Sequence, residues 1–105
     1  MSIELARLKD QLKSFLDTEG KLIRYPPRYK QKMLSLFYLA SKFESGKKYT
    51  EQEVNELLKE WHTFGDWAML RRDLFDTFFL GRETDCSLYW LEDKQPSLQD
   101  FKLEL

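Results

Sequence analysis

The sequence has 105 residues, of which 42% are hydrophobic and 33% are charged, and its formal net charge is −1. This composition is typical of a water-soluble globular protein and excludes intrinsic disorder, and a chain of this length buries roughly two-thirds of its unfolded surface. No apolar run approaches the ~20 residues of a transmembrane helix, so no membrane span is predicted. A single cysteine and an N-terminus without an apolar signal-peptide core predict a cytoplasmic protein.

The two halves of the chain carry opposite charge. Residues 1–50 contain 11 Lys and Arg against 5 Asp and Glu, a net of +6, and residues 51–105 contain 6 against 13, a net of −7. This asymmetry would suit either the steering of an anionic partner or two halves that neutralise each other in the fold. The second interpretation is the simpler one.

An N-terminal helix is predicted over residues 1–17. Ser2 is its predicted cap, and Glu4 suits the positive end of its dipole. Turn-forming residues 17–20 end it, and residues 22–24 are predicted to be extended before Pro26-Pro27. Its apolar residues recur at helical spacing: Leu5, Leu8, Leu12, Phe15 and Leu16.

Three further helices are predicted. One covers residues 28–43 and ends before Ser45-Gly46. The next begins with a capping box between Thr50 and Glu53 and stops near residues 63–65. Asp66 is the predicted cap of the last helix, whose inward residues are Leu70, Leu74 and Phe78.

A hairpin around residues 82–87 follows the last helix, and then Phe101, Leu103 and Leu105 alternate with charged residues as in a strand or a docked arm. The predicted fold is mainly α with a small β-hairpin, winged-helix-like (helix-turn-helix plus wing), with an extra N-terminal helix and a C-terminal arm. We expect one domain over residues 1–105: the N-terminal helix over 1–17, the winged-helix-like core over 22–91 and the tail over 92–105.

The sequence also resembles the domain of unknown function 2087 family. The similarity runs from Phe15 to Trp90, through FLDTEGKLIRYPPRYKQKMLSLFYLASKF, YTEQEVNELL and DWAMLRRDLFD, with Arg82 and Tyr89-Trp90. The resemblance implies a small bacterial domain that occurs alone or appended to helix-turn-helix regulators, and hence a transcription-related role. The family usually has glycine at the position of Phe78 and an Asp-Gly turn at Asp85-Cys86, so we expect a longer last helix and a looser hairpin tip here.

Arg71 and Arg72 on the last helix and Arg82 in the hairpin are the first candidate nucleic-acid-binding residues. Duplex binding needs a clearly basic surface, yet both predicted helices of the helix-turn-helix are rich in carboxylates. Adjacent residues on a helix point about 100° apart. We therefore expect at least one of Arg71 and Arg72 to form a structural ion pair with the neighbouring helix.

A second candidate set is Arg28, Lys30 and Lys32, which alternate with Tyr25 and Tyr29. Cations and aromatic rings together are typical of surfaces that bind single strands or RNA. The two tyrosines could equally pack across the start of a helix, which is the commoner use.

Catalytic chemistry has few candidates in this sequence. His62 is the only histidine and is expected to cap a helix end, and Cys86 is expected to be exposed at the hairpin tip. Four scattered glycines make no phosphate-binding loop. No catalytic residue, metal ligand or cofactor is predicted, and we do not expect an enzyme.

The predicted function is a non-catalytic regulatory module, a transcriptional regulator that binds DNA through a winged helix. The alternative is a module on the same scaffold that does not bind DNA. Such a module would bind another protein or form a homodimer. The family resemblance favours DNA binding as the function, whereas the residues alone favour protein contact. A small-ligand sensor rests only on Trp61, Trp67 and Trp90, which core packing explains as well.

Overall fold

Four helices and a small sheet make up residues 4–105, the part of the chain that this computed structural model describes. Ser2, the predicted cap of the first helix, lies outside the described residues. The fold is mixed α/β, and β1 adds a third strand to the predicted hairpin. In chain order the elements are α1 (Leu5–Gln11), a 3-10 turn (Lys13–Phe15), α2 (Tyr29–Ala40), β1 (Tyr49–Thr50), α3 (Glu51–Trp61), α4 (Trp67–Asp76), β2 (Leu80–Arg82), β3 (Leu88–Leu91) and a second 3-10 turn (Leu98–Phe101).

The sheet is antiparallel with the order β1-β3-β2. Tyr49 of β1 lies opposite Tyr89 of β3, and Gly81 of β2 lies opposite Trp90. Both tyrosines are buried, so this pair ties the hairpin to the helical core. A Cβ at Gly81 would lie 2.5 Å from the indole nitrogen of Trp90, which explains why glycine occupies this position.

The N-terminal helix docks on α2 through the predicted apolar face. Leu8 and Leu12 are buried in one cluster with Leu34 and Tyr38. The helix is shorter than predicted, because the chain leaves it after Gln11 and passes through a 3-10 turn.

The predicted turn at residues 17–20 reverses the chain after α1. The Asp17 carboxylate accepts hydrogen bonds from the backbone N–H groups of Glu19 and Lys21, both at 2.9 Å. Leu16 then pairs with Leu22 across the turn. This antiparallel pairing requires an extended backbone at Leu16, which is why the helix cannot continue to Asp17.

Two predictions about Phe78 are wrong: that its side chain faces the core, and that α4 extends to include it. Phe78 has a φ of 70° and is 71% exposed, so it neither faces inward nor extends the helix. Its N–H donates to the Phe75 carbonyl at 3.1 Å, and the Phe79 N–H donates to the Leu74 carbonyl at 3.0 Å. These two bonds define a Schellman motif, whose left-handed position normally holds glycine.

We expect Phe78→Gly to stabilise the protein by about 1 kcal/mol, because a left-handed conformation costs a side-chain-bearing residue roughly 1–2 kcal/mol and the exposed ring loses little burial. Phe78→Ala is the matched control, since it removes the ring and keeps the Cβ. Chemical denaturation of the three proteins measures the effect. Equal stability of the glycine and alanine variants would contradict this account.

At the hairpin tip, Cys86 also has a left-handed backbone conformation, which usually favours glycine. Cys86 has a φ of 63°, and its N–H donates to the Glu83 carbonyl at 2.9 Å. The Glu83 N–H in turn donates to the Leu88 carbonyl at 3.0 Å, so the tip keeps its hydrogen bonds and is not loosened. Cys86 is half-buried against the core rather than exposed as predicted.

The C-terminal tail is a docked arm and not a strand. Ser97 and Asp100 form a reciprocal capping box that begins the second 3-10 turn. Leu103 beyond this turn is buried in the main core, and Phe101 packs against the same core. Phe101 in this turn and Leu103 after it therefore attach the tail to the core.

Candidate interaction surfaces

His62 fixes the junction between α3 and α4. It is 4% exposed and follows the last residue of α3. Its Nδ1 contacts the Leu58 carbonyl, and its Nε2 accepts the Asp66 N–H at 3.0 Å. This pattern requires a neutral ring with the proton on Nδ1. His62 thus caps the end of α3 through a hydrogen bond and not through the positive charge that compensation of the helix dipole requires, and both nitrogens are occupied.

Asp66 lies at the N-cap position of α4, as predicted, but its side chain makes no capping hydrogen bond. The N–H of Asp66 itself donates to His62, which holds the start of α4 against the end of α3. The predicted capping box of α3, by contrast, is confirmed. The Thr50 hydroxyl accepts the Glu53 N–H at 3.1 Å, and the Glu53 carboxylate accepts the Thr50 N–H at 2.8 Å.

The sequence predicted that at least one of Arg71 and Arg72 forms a structural ion pair, and Arg71 does so. Its guanidinium lies 2.9 Å from a Glu51 carboxylate oxygen and also donates to the Asn55 side chain. Its side chain is only 17% exposed. Arg71 thus links α4 to α3 and has little of its charge available to a partner.

Arg72 points in a different direction. Its side chain is 80% exposed, and its Nε lies 3.7 Å from the Asp76 carboxylate, one turn along the same helix. An exposed pair of this kind contributes little to stability. Arg72 is therefore available to a partner.

Arg82 completes the first candidate set. Its guanidinium carbon lies 3.9 Å from the ring centroid of Phe75. All three arginines line one cavity of about 670 Å³ between α4 and the hairpin, together with Glu51 and Asp76. These five charges sum to 3 − 2 = +1, which makes the cavity only weakly basic.

The second candidate set, Arg28, Lys30 and Lys32, lies where α2 begins. Within residues 4–105, none of the three lines the cavity between α4 and the hairpin. Lys32 Nζ lies 5.1 Å from the ring centroid of Tyr25. The Tyr25 hydroxyl donates to Asp73 at 2.8 Å, so this ring joins the entry of α2 to α4.

A family model for an uncharacterized protein conserved in bacteria, DUF2087, matches residues 21–91. The chain belongs to this family. The match runs from the segment before α2 to the end of β3, and it leaves out α1 and the C-terminal arm. No curated protein and no solved structure matches the chain.

Each tryptophan of this DUF2087 domain is covered by a lysine. Lys42, Lys48 and Lys59 lie 4.0, 3.9 and 4.3 Å from the rings of Trp61, Trp90 and Trp67, respectively. One face of each ring is therefore covered by a cation. Lys42 and Lys48 come from the first half of the chain and Trp61 and Trp90 from the second, so these contacts join the two halves. The three ion pairs among the described residues all lie within the second half.

A second surface of the DUF2087 domain was missed by sequence reasoning. It is a groove of about 600 Å³ beside α4 and the C-terminal arm, here called the Phe78 groove. Phe78 and Tyr29 line it and are 71% and 56% exposed. The helical spacing of apolar residues in α4 predicted that Phe78 lies in the core. The position of Tyr29 after the prolines favoured packing across the start of a helix. Its other lining side chains include Met33, Pro96, Phe101, Asp76, Asp100 and Lys94.

Among the described residues, no group of three or more His, Cys, Asp or Glu side chains is arranged to hold a metal ion. No helix within residues 4–105 is long and apolar enough to cross a membrane.

Tyr25 makes the stability of the domain sensitive to alkaline pH. Burial, followed by the hydrogen bond to Asp73 and the charge of that carboxylate, raises the pKa of Tyr25 well above its ordinary value of 10.0. A tyrosine whose pKa is raised on folding stabilises the protein fully below about pH 10, and this contribution is lost as the pH rises above that value.

We therefore expect the free energy of unfolding to fall less steeply above about pH 10 in Tyr25→Phe than in the wild type. At neutral pH the variant should be less stable by about 1 kcal/mol, because Asp73 loses its donor. Urea unfolding at about pH 8 and about pH 11 measures both effects. Parallel loss of stability in the two proteins would show that Tyr25 has no special alkaline role.

Proposed function

We propose that this DUF2087 domain is a non-catalytic regulatory module that works by contacting another protein chain on a winged-helix scaffold. The order α2, β1, α3, α4, β2, β3 and the pairing of β1 with β3 support the winged-helix assignment. In that scaffold α3 and α4 form the helix-turn-helix and the β2–β3 hairpin forms the wing.

The ion pair of Arg71 with Glu51 is the observation that carries this proposal. In a DNA-binding winged helix, α4 would enter the major groove with its cations toward phosphates and base edges. Here one of its two arginines is neutralised by the preceding helix.

The charges of α3 and α4 also favour a protein partner over DNA. Residues 51–61 of α3 carry one lysine and four glutamates, a net of 1 − 4 = −3. Residues 67–76 of α4 carry two arginines and two aspartates, a net of 0. With Asp66 in the turn between them, residues 51–76 have a net charge of 3 − 7 = −4, which repels a phosphate backbone.

Exposed aromatic side chains support a protein partner. Phe78 and Tyr29 both line the Phe78 groove, and more than half of each residue is accessible. Aromatic residues that fill pockets dominate the energy of protein interfaces. The free and half-buried Cys86 is compatible with the reducing cytoplasm, where we place the module.

Fluorescence anisotropy of labelled duplex and single-stranded DNA at about 50 mM salt tests this function, since low salt strengthens phosphate contacts. We expect no salt-dependent binding by the full chain. The Arg72→Ala variant and a combined Arg28→Ala and Lys32→Ala variant serve to locate any binding surface. Salt-dependent binding that either variant weakens would overturn the proposal.

DNA binding is the second candidate, and the exposure of Arg72 favours it. Arg72 of α4 and Arg82 of the hairpin line the same cavity, as a recognition helix and its wing would. Under this alternative, Arg72→Ala and Arg82→Ala should each weaken duplex binding and lower its salt dependence. Arg71→Ala is a poor probe, because it also removes the contact between α3 and α4.

A further inference from the structure

We propose that the Phe78 groove is a homodimer interface, in which Phe78 of each copy enters the groove of the other. This inference rests on the proposed function, because it identifies a second copy of the chain as the protein partner. The groove adjoins the cavity between α4 and the hairpin, and Asp76 is the one lining residue that the two share among the described residues.

Phe78 has the properties of an anchor residue. Its side chain is 71% exposed, so its own chain leaves most of the ring uncovered. The Schellman hydrogen bonds at 3.1 and 3.0 Å fix its backbone at the end of α4. The ring thus projects from a defined position, and little conformational entropy remains to be lost there on binding.

The groove that receives the ring is also preformed. The Tyr29 hydroxyl donates to the Phe101 carbonyl at 3.2 Å, which holds the start of α2 against the C-terminal arm. The Gln95 side chain donates to the Phe79 and Glu92 carbonyls, both at 2.9 Å, which holds the segment before that arm. The volume of about 600 Å³ lies within the range of sites that bury a small molecule, so the groove can accommodate a phenyl ring.

The position of the ring beside the groove favours a second copy over an unrelated partner. A two-fold interface uses the same patch on both subunits, so the projecting group and its receptor must lie next to each other on one surface. Phe78 is itself a lining residue of the groove. Rotation of one copy about an axis near Phe78 therefore brings each ring to the groove of the other copy.

The groove lining carries charges of both signs. Lys94, Asp76 and Asp100 all line it and are all exposed, and their charges sum to 1 − 2 = −1. In the proposed two-fold arrangement, Lys94 of one copy faces Asp76 of the other copy, and the pair occurs twice. The apolar contact is then flanked by two reciprocal ion pairs, which set the orientation of the two copies.

Sedimentation velocity of the full chain from about 1 µM to about 1 mM tests the interface, since weak dimers have dissociation constants in this range. We expect a monomer–dimer equilibrium whose dissociation constant rises at least about 30-fold in Phe78→Gly, as for the loss of an aromatic anchor. This variant is expected to be more stable than the wild type, so a lost dimer cannot be ascribed to unfolding. Met69→Ser is the control, because Met69 is 46% exposed but lines the other cavity.

Charge reversal tests the two-fold arrangement. Lys94→Glu alone and Asp76→Lys alone should each weaken the dimer, because each places like charges opposite each other. An equimolar mixture of the two variants should restore dimerisation, since the heterodimer contains one native Lys94–Asp76 pair and one pair of reversed sign. Restored association in the mixture supports the proposal.

A wild-type chain that is monomeric throughout the range, a dimer that survives Phe78→Gly, or a mixture that does not restore association would each overturn the interface. The DNA titration separates this failure from that of the proposed function. A monomer without DNA binding rejects the homodimer alone, whereas salt-dependent DNA binding rejects the proposed function whatever the oligomeric state.

Discussion

Replacement of His62 by alanine is expected to lower the free energy of unfolding by about 3 kcal/mol, which corresponds to a fall in Tm of about 15 °C. The imidazole contacts the Leu58 carbonyl at the end of α3 and accepts the Asp66 N–H at the start of α4. Its loss leaves this N–H without its partner, which costs about 1–2 kcal/mol. The void left by a buried ring accounts for a similar amount.

The control for this prediction is His62→Gln. A glutamine oxygen can accept the Asp66 N–H in place of Nε2 but loses the contact to Leu58, so it should recover about half of the lost stability. Thermal and urea unfolding of the three proteins measure the effect. A loss below about 1 kcal/mol in His62→Ala would contradict the role of His62 as the junction between α3 and α4.

Leu12→Ala is expected to destabilise the protein by about 3 kcal/mol. Leu12 is fully buried with Leu8, Leu34 and Tyr38, although it lies outside the family match over residues 21–91. The alanine variant loses the transfer energy of three carbon groups and leaves a cavity where α1 meets α2. The prediction tests whether α1 belongs to the folding unit of this chain.

Leu5→Ala provides the matched comparison, because Leu5 lies on the same helix but is 43% exposed. Its effect should stay below about 1 kcal/mol. Urea unfolding gives both values. Similar small losses in the two variants would mean that α1 is only loosely attached and that its burial contributes little.

Local sequence signals predicted the local structure well. The capping box of α3 depends on two residues three positions apart, Thr50 and Glu53, and it forms as predicted. The same kind of signal was present in the tail as Ser97 and Asp100, where the alternation of apolar residues left a strand and a docked arm open. A capping signal identifies a turn start more reliably than three alternating residues identify a strand.

The position of Phe78 shows where periodicity fails. Leu70, Leu74 and Phe78 follow the spacing of one helical face, but this spacing has meaning only while the backbone is helical. The helix ends at Asp76, and the left-handed backbone at Phe78 turns the ring toward solvent. The Phe78 groove could not be predicted because it depends on that turn and on the distant C-terminal arm.

The candidate arginines illustrate a different limit. The excess of carboxylates over residues 51–76 predicted that one of the two adjacent arginines would be paired, and Arg71 is. Sequence alone could not choose between Arg71 and Arg72, because the choice depends on the rotation of α4 against α3. Asn55, the second partner of Arg71, gave no separate signal in the sequence.

Two-dimensional NMR of the ¹⁵N-labelled chain tests the central claim, that the domain acts through protein contact at the Phe78 groove and not through DNA contact at α4. One series raises the protein concentration, and the other adds duplex DNA at low salt. We expect the amides of Phe78 and the C-terminal arm to shift in the first series, and those of Arg72 and Arg82 to stay unchanged in the second. Saturable shifts of Arg72 and Arg82 with DNA, together with concentration-independent signals around Phe78, would contradict the claim.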